Sequence, residues 1–434
     1  MVEGGDELQS SSPSYAQKRR GLRWAVVSET FGGAYGVLVL GSIFALYLDT
    51  LGLRKDQIGL LNGLIYLPGP IALFIAPYLA QFGSKRSLLL FYGARKIVAA
   101  LLILAPGVLV AWGASWAFVY VVAVMALYGL CRVIAETAFY PWIQEFVPDD
   151  VRGQYMAVCN ILGTLASIGA VTWSSYMLGS SAGTERFQIV IGVGCAVGLL
   201  GIALKLPIPG GAPQVKRTDQ RTHFRQVREA VGDRGFVRFL LGLGVLGLAT
   251  GGWSAFVPLY LKDSIGLQPG VVVGLHNWTL LGTLISSYAW GLAADRKGSK
   301  PVLMVGLLLM ALLPLGWMAL PREAADSTFW PSGLAMLWGA SLMAYNIGNE
   351  RLLFVSAVPP EKKTEYMAVF YTFTQLLLAL SPFLSGRLLA SAAGMHGEVY
   401  GWQFDQYTPF FVGSLFLLLI GVWIFSGVRE ELRN

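Results

Sequence analysis

The chain has 434 residues, of which 55% are hydrophobic and only 13% are charged, and its formal net charge is +7. Soluble domains carry about 25% charged residues, so these proportions exclude an ordinary soluble enzyme, a disordered protein and a nucleic-acid-binding module. The three cysteines lie in apolar stretches and predict neither a disulfide framework nor a metal site. The composition is typical of a protein that crosses a membrane many times.

Uninterrupted apolar runs predict twelve membrane-spanning helices, because a helix needs about 20 apolar residues to cross a bilayer. We number them as the first to twelfth spans; they cover 24–49, 57–82, 87–112, 115–146, 152–179, 186–207, 236–261, 268–294, 301–320, 329–357, 364–393 and 406–427. The longest polar stretch, 208–235, is a basic linker between a first half, 24–207, and a second half, 236–427. It is either an amphipathic helix on anionic lipid or a solvated connection. The tails are 1–23 and 428–434.

The distribution of lysine and arginine predicts the orientation of the chain. With a cytoplasmic N-terminus, 19 of these residues fall in the cytoplasmic segments between the spans and at the termini, and 4 fall in the outside loops. Cytoplasmic loops carry such an excess of positive charge. We therefore expect both termini and the linker in the cytoplasm, and the protein in a cytoplasmic membrane of the bacterial type.

The two halves share short sequences at nearly constant offsets. YMAV at 155–158 recurs at 366–369, GSK at 83–85 recurs at 298–300, and Tyr47-Leu48 recurs as Tyr260-Leu261. All three matches fall at equivalent topological positions. They predict a tandem duplication of a six-helix unit, as in transporters whose halves are related by an axis along the membrane normal.

A loop at the end of the eighth span carries a recognisable signature. The sequence GLAADRKGSK from Gly291 to Lys300 is similar to the loop signature of the major facilitator superfamily, G-x-L-A-D-R-x-G-x-K, with one mismatched residue. The matching stretch of the first half, 77–86, is degenerate. Together with two sets of six spans and a basic linker, the whole chain resembles this family. The resemblance implies an all-α fold of two six-helix bundles and transport by alternating access.

The same loop is a candidate gate. An acid at a helix end, a glycine turn and following bases can lock one conformation through charged hydrogen bonds. The resemblance implies this role for five residues of the loop, Gly291, Asp295, Arg296, Gly298 and Lys300. Two residues of the tenth span, Glu350 and Arg351, are expected to contact it. Alternatively, the bases only anchor a positively charged loop.

Charged residues deep in the spans of the first half are candidates for proton coupling, because such groups are costly in a membrane. Arg132 and Glu136 share a face of the fourth span. Protonation of Glu136 would free Arg132 to bind an anionic solute, or the two form a static pair. Glu29 is either a second proton site or a partner of Arg95 or Lys96, which cannot both face the cavity because adjacent residues point about 100° apart. The resemblance also places Arg132 where proton-coupled members of the family carry an arginine.

The deep polar residues of the second half are mostly uncharged. With two residues of the first half, they form the predicted solute-binding cavity: Asn62, Arg132, His276, Asn277, Trp278, Asn346 and Asn349. A lone histidine such as His276 is more often a hydrogen-bonded structural residue than a proton carrier. Asn62 and its repeat mate Asn277 either bind solute or join helices by hydrogen bonds.

We therefore expect a secondary transporter that moves a small polar or anionic solute, coupled to protons. The chain lacks the phosphate-binding G-x-x-x-x-G-K-[ST] loop, which argues against transport driven by ATP on this chain. No enzymatic activity, cofactor, metal or nucleic-acid partner is expected. We expect a monomer in contact with membrane lipid. An exporter of lipids or lipophilic drugs with the same fold, and a non-transporting membrane sensor or intramembrane enzyme, remain alternatives.

Overall fold

The computed structural model describes residues 15–179, 183–213, 229–322, 328–353, 363–399 and 402–428. Most of the N-terminal tail, the central part of the linker and the last six residues lie outside this part of the chain. The interpretation of the linker as an amphipathic helix falls mainly on residues that are not described.

Every predicted span has a helical counterpart. In the first half the spans are Tyr15–Val39 with Ser42–Thr50, Lys55–Leu64 with Ala72–Phe82, Ser84–Ala100 with Ala105–Trp112, Ala114–Phe146, Arg152–Leu178 and Thr184–Ala203. Single 3₁₀ turns at Gly69–Ile71 and Leu101–Leu104 connect the two parts of the second and third spans, and a third turn at Asp149–Val151 precedes the fifth. The second span breaks at Pro68 and Pro70, because proline cannot donate a hydrogen bond within a helix.

The second half repeats this arrangement. Its spans are Arg234–Thr250 with Trp253–Asp263, Pro269–Lys297, Ser299–Met318, Phe329–Leu352, Lys363–Ser391 and Thr408–Ser426. Two short antiparallel strands, Gly397–Val399 and Trp402–Phe404, pair in the loop before the twelfth span. The sequence analysis did not predict this hairpin.

Among the described residues, nine helices are long and apolar enough to cross a membrane. The second span is not among them because its helix is broken. The eighth and tenth spans are long enough, at 29 and 24 residues, but they are less apolar. Polar side chains are tolerated in spans that face other helices or a cavity rather than lipid.

Equivalent residues of the two halves make equivalent hydrogen bonds. The hydroxyl of Tyr47 donates to the carbonyl of Leu102 at 2.6 Å, and that of its repeat mate Tyr260 donates to the carbonyl of Trp317 at 2.7 Å. In the repeated GSK sequence, Lys85 donates to the carbonyl of Leu206, after the sixth span, and Lys300 to that of Ser426, at the end of the twelfth. These paired contacts are what a duplicated six-helix unit produces.

The two halves meet closely at one end of the bundle. We call the end where residues 204–213 leave the sixth span the linker side, and the opposite end the distal side. On the distal side a Cβ atom at Gly59 would lie 2.2 Å from the carbonyl oxygen of Pro382, and one at Gly270 would lie 2.5 Å from that of Ser175. These distances leave no room for a side chain, so glycine is required for this packing of the second span on the eleventh and the eighth on the fifth.

On the linker side the same helix faces are uncovered. In the fifth span, Ile161 and Leu165 are about half exposed, and in the eighth span Ile285 and Tyr288 are 64% and 80% exposed. On each helix these residues lie on the same face that packs against the other half on the distal side, but further towards the linker side. The halves are therefore closed on the distal side and separated on the linker side.

Candidate functional site

A cluster of charged side chains lies in the middle of the first half. The Nε of Arg132 is 2.8 Å from Oε1 of Glu136, and Nη1 of Arg95 is 3.5 Å from the same oxygen. Arg95 comes from the third span, and its residue is only 8% exposed. One carboxylate thus pairs with two arginines, and the predicted pair of Arg132 and Glu136 is present in the structure.

This cluster also contacts the second half through the eleventh span. Nη1 of Arg132 donates to Oε1 of Gln375 and to the carbonyl of Ile65, at 3.3 Å in both cases. The hydroxyl of Tyr371 donates to Oε2 of Glu136 at 3.4 Å. Any rocking of the halves would change these contacts. The charged cluster therefore lies where a movement of one half against the other can be coupled to a change in the charge of the cluster. The sequence analysis identified neither Gln375 nor Tyr371.

Aromatic rings surround the cations of the first half. The guanidinium of Arg95 lies 4.3 Å from the ring centroid of Tyr92, and the ammonium of Lys96 lies 3.5 Å from that of Tyr35. Lys96 is 2% exposed and makes no ion pair with any residue that the structure describes. Cation–π contact with tyrosine stabilises such charges. From the sequence we expected one of these two residues to pair locally or to reach towards the headgroups; both are buried inside the first half, and Arg95 pairs with Glu136.

Glu29 has a different partner from the two that the sequence suggested. Its Oε1 is 2.5 Å from Nζ of Lys205, at the linker-side end of the sixth span, and in the described part of the chain it forms no ion pair with Arg95 or Lys96. Ser28 donates to the carbonyl of Gly201 beside this pair, so the first span packs tightly on the sixth. Lys205 has no periodic relation to Glu29 in sequence, and only the packing of two distant spans reveals the pair.

Among the predicted cavity residues of the second half, His276 lines a cavity between the halves. It shares this cavity with Trp338 of the tenth span and Gly36 of the first. His276 makes no hydrogen bond to any residue within the described ranges. Trp278, by contrast, does not line this cavity and is 44% exposed.

The predicted asparagines are arranged differently from one another. Asn277 donates to the hydroxyl of Thr172 across the interface at 2.9 Å, whereas Asn62 donates to the carbonyl of Ile58 in its own helix. The Oδ1 atoms of Asn277 and Asn349 are buried without a hydrogen-bond partner in the described structure. Asn346 is exposed. Asn277 thus joins the halves while keeping one unused acceptor.

The signature loop lies on the linker side. Nη1 of Arg351 is 2.5 Å from Oδ1 of Asp295, and Gly298 adopts a φ of +91°, which favours glycine. Glu350 is exposed and is not part of this ion pair. Gly291 and Arg296 lie on the last turns of the eighth span, which ends at Lys297. The contact between Asp295 and Arg351 is confined to the second half.

The distal side holds an ion cluster that the sequence analysis missed. Lys55 bridges Asp49 of its own half, at 2.8 Å, and Asp263 of the second half, at 2.7 Å. Lys262 pairs in turn with Asp49, and Tyr407 donates to Asp263. Two ion pairs therefore join the halves; we call these four charged residues the distal latch. The alignment of the two repeats could have predicted the contact between Asp49 and Lys262, since both follow the repeated Tyr-Leu.

The family assignment follows from a match over most of the chain. A family model described as Major Facilitator Superfamily matches residues 25–382. The chain belongs to this superfamily. It is therefore an integral membrane protein and a secondary transporter of a small-molecule solute rather than an enzyme, and the resemblance of the signature loop is confirmed.

Solved transporter structures share the fold at low sequence identity. A mutant of the nucleoside transporter NupG has a TM-score of 0.71 and 14% identity, over 95% of this chain and 100% of that one. A bacterial homologue of the human lysosomal transporter Spinster, inward-facing and unoccupied, has a TM-score of 0.65 and 15% identity, over 97% and 100%. A bacterial homologue of the iron transporter ferroportin, also inward-facing, has a TM-score of 0.65 and 14% identity, over 95% and 99%. No curated protein matches the sequence. At these identities the structures establish the fold alone.

Proposed function

We propose that the chain is a proton-coupled transporter of a small anionic or polar solute, in which Glu136 carries the proton and Arg132 binds the solute. The observation that carries this proposal is the single carboxylate of Glu136 between two arginines, in contact with the eleventh span. When Glu136 is ionised it holds Arg132. When Glu136 is protonated, the guanidinium of Arg132 is released to bind an anion.

The charge balance of the first half supports an anionic or polar solute. Lys205 and Glu29 neutralise each other. Of the remaining deep cations, Arg95 and Arg132 share the single carboxylate of Glu136, and Lys96 forms no ion pair with a described carboxylate. An uncompensated positive charge in a low-dielectric site favours negative charge in its ligand. Of the solutes named for the similar structures, a polar nucleoside is therefore more compatible with this site than an iron cation.

The transport cycle we propose uses both ends of the bundle. The predicted orientation makes the linker side cytoplasmic, so this conformation faces the cytoplasm. The distal latch then closes the outer gate, and the signature loop with Asp295 and Arg351 acts at the cytoplasmic gate. We also propose that the protein works as a monomer in a bacterial-type cytoplasmic membrane with both termini inside.

A lipophilic or lipid-like anion is a second candidate. The uncovered faces of the fifth and eighth spans are apolar on the linker side, with Ile161, Leu165 and Ile285 among their exposed residues. Such a cleft would admit an acyl chain from the side while the headgroup reached Arg132. This candidate differs from the first in the solute alone and uses the same coupling chemistry.

The test begins with a ligand screen. The purified protein is heated with sugars, organic anions, amino acids, lipophilic cations and lysolipids in turn, because a ligand of the folded state must raise the melting temperature. The class that responds is then assayed in proteoliposomes with an imposed pH gradient. Glu136→Gln should retain binding and lose accumulation driven by the gradient, and Arg132→Ala should lose binding.

Glu185→Gln, an exposed change on the distal side, is the matched control for the charge lost at Glu136. Accumulation by Glu136→Gln equal to that of this control would refute the coupling role. A response to lysolipids, but not to water-soluble anions, would favour the lipid-like candidate.

A further inference from the structure

A groove on the linker side of the first half has no role in the transport cycle proposed above. It lies between residues 19–26 of the first span and residues 151–158 at the start of the fifth, and it has a volume of about 650 Å³. The hydroxyl of Tyr15 donates to Oδ2 of Asp150 at 3.0 Å. This hydrogen bond joins the start of the first span to the turn before the fifth, so the two walls of the groove are held together at one end.

Three arginines of the first span give the groove a positive charge. They are Arg19, Arg20 and Arg23. All three are exposed, and none makes an ion pair or a hydrogen bond with a residue that the structure describes. No aspartate or glutamate is among the described residues that line the groove. Such a cluster of guanidinium groups favours a phosphate group, because each can donate two parallel hydrogen bonds to it.

These arginines lie at the depth of the lipid headgroups. The first apolar run begins at Trp24, directly after Arg23, and Trp24 itself is exposed. Tryptophan at the end of a span is typical of the interface between membrane and water. Basic pockets between spans at this level bind the headgroups of anionic lipids. The phosphate that reaches this groove most directly is therefore that of a membrane lipid.

A row of uncovered apolar side chains leads from the groove towards the middle of the membrane. Val158 lines the groove, and Ile161 and Leu165 follow it along one face of the fifth span. All three are about half exposed. In an apolar stretch of 18 residues of this span only 11% are buried, whereas each of the other eight candidate spans has 28% or more. This face is therefore free to contact an acyl chain.

We propose that the groove binds an anionic phospholipid, with its phosphate among Arg19, Arg20 and Arg23 and an acyl chain along the exposed face of the fifth span. The lipid is a bound partner of the transporter and not its solute. Its headgroup lies at the membrane surface, whereas Arg132, the residue proposed to bind the solute, lies in the middle of the first half.

The bound lipid would favour the conformation that is open on the linker side. On the distal side the same face of the fifth span packs on the eighth, where Ser175 donates to the carbonyl of Gly270 at 2.7 Å. Closure of the linker side would bring Ile161 and Leu165 against the eighth span. The acyl chain occupies that space, so the lipid would have to leave first.

Three probes separate the headgroup from the acyl chains. Dioleoylphosphatidylglycerol has a net negative charge and two chains, dioleoylphosphatidylcholine has the same chains and no net charge, and glycerol 3-phosphate has a charged phosphate without chains. Each is added to the full chain in an uncharged detergent. Unfolding is followed with a thiol-reactive dye, which is suitable because Cys131 and Cys195 are buried and all three cysteines are free. A ligand of the folded state raises the melting temperature.

Phosphatidylglycerol is expected to raise the melting temperature of the wild type, and the other two probes should have little effect at the same concentration. In Arg19→Gln/Arg23→Gln the concentration of phosphatidylglycerol that gives half of the maximal shift should rise roughly thirty-fold, or about five-fold for each arginine lost. Arg234→Gln/Lys297→Gln is the matched control. It removes two exposed positive charges from the linker side of the second half and should respond like the wild type.

Three results would overturn the proposal. Equal shifts with phosphatidylglycerol and phosphatidylcholine, or no shift with either, would show that the charge of the headgroup is not recognised. A response of Arg19→Gln/Arg23→Gln equal to that of the control would show that the lipid binds elsewhere. A shift with glycerol 3-phosphate as large as that with phosphatidylglycerol would assign the groove to a free phosphate compound instead of a lipid.

Arg132→Ala separates this proposal from the proposed function. This variant should lose the response to organic anions and keep the response to phosphatidylglycerol, whereas Arg19→Gln/Arg23→Gln should do the reverse. Either proposal can therefore fail alone. If Arg132→Ala lost the response to phosphatidylglycerol, the headgroup would bind at Arg132, as for the lipid-like solute, and the proposal for the groove would be wrong.

Discussion

Asp49 and Lys262 occupy equivalent positions in the two halves and form an ion pair with each other across the interface. Each follows the repeated Tyr-Leu at the distal end of its bundle, 213 residues apart. Residues close to an axis of pseudosymmetry meet their own repeat mates. Opposite charges at such a position join the two halves, whereas identical residues there would repel or leave the contact neutral.

We predict that Asp49→Asn weakens distal closure more than Lys262→Gln does. Asp49 accepts from both Lys262 and Lys55, so its loss leaves two lysines for Asp263, while loss of Lys262 leaves Asp49 paired with Lys55. We expect Asp49→Asn to destabilise the conformation closed on the distal side by about 1–2 kcal/mol relative to the opposite conformation. This is roughly a five- to thirty-fold shift in the ratio of the two conformers. The measurement is the labelling rate of a cysteine that replaces Ser175, which lies in the closed distal interface and donates to the carbonyl of Gly270.

The exchange Asp49→Lys/Lys262→Asp provides the internal control for this prediction. It keeps the pair and reverses its direction, so labelling should return most of the way to the wild-type rate. Because Lys55 would then face a lysine at position 49, full recovery is not expected. A double variant that labels as fast as Asp49→Asn would show that the pair does not hold the halves together.

Gly59→Ala is expected to block distal closure. Its Cβ would lie 2.2 Å from the carbonyl oxygen of Pro382, and a backbone carbonyl cannot move aside as a side chain can. Overpacking of this kind costs about 1–3 kcal/mol. The cost falls on the conformation closed on the distal side alone, so the variant should fold and favour the opposite conformation. Crosslinking of a cysteine pair placed across the distal interface measures the fraction of the protein that is closed on the distal side.

Gly93→Ala is the matched control, because a Cβ at Gly93 has open space around it. It should crosslink like the wild type. If Gly59→Ala also crosslinked like the wild type, the close packing of the second and eleventh spans would not be needed for closure.

Solute affinity should increase as the pH falls, if Glu136 controls Arg132. Protonation of Glu136 removes the negative charge that competes with an anionic solute for Arg132, so the protonated form binds more tightly. In Glu136→Gln the affinity should be high and independent of pH. Titration of the identified solute at several pH values, in both proteins, measures this; a pH profile that persists in the variant would assign the proton to another group.

Glu29 and Lys205 form an ion pair that we expect to contribute to stability. Lys205→Met leaves Glu29 unpaired beside the sixth span and should lower the free energy of unfolding by about 1–2 kcal/mol, less than for a fully buried pair because the side chain of Glu29 is 31% exposed. Adding Glu29→Gln should restore much of the loss. Melting temperatures of the single and double variants test this, and additive losses would mean that the two residues act independently.

The fold was largely predictable because apolar runs are a local property of a membrane-protein sequence. Most of the helices begin and end close to the predicted residues, although the first begins at Tyr15, inside the predicted tail. The superfamily is confirmed. The break in the second span could also have been predicted from Pro68 and Pro70. The hairpin after the eleventh span was not predicted, because strands of three residues are too short to show a recognisable alternating pattern.

The site was less predictable because its contacts join residues that are far apart in sequence. The pair of Arg132 and Glu136 follows from helical spacing, and so it was found. Gln375 and Tyr371 reach the charged cluster from the eleventh span, and Lys205 reaches Glu29 from the end of the sixth. No periodicity in the sequence relates these residues to their partners. The distal latch was missed for another reason: Lys262 was counted only for orientation, although the repeat register places it opposite Asp49.

The low apolarity of the eighth and tenth spans has a consequence for how the chain enters the membrane. A polar helix is inserted poorly by itself. The ninth span between them is among the most apolar of the protein, and it packs against the tenth through the close approach of Gly306 to Tyr345. Biogenesis of the second half should therefore depend on the ninth span as an insertion partner for its two neighbours, and a nascent chain that ends after the eighth span should remain loosely held at the membrane until the ninth has been made.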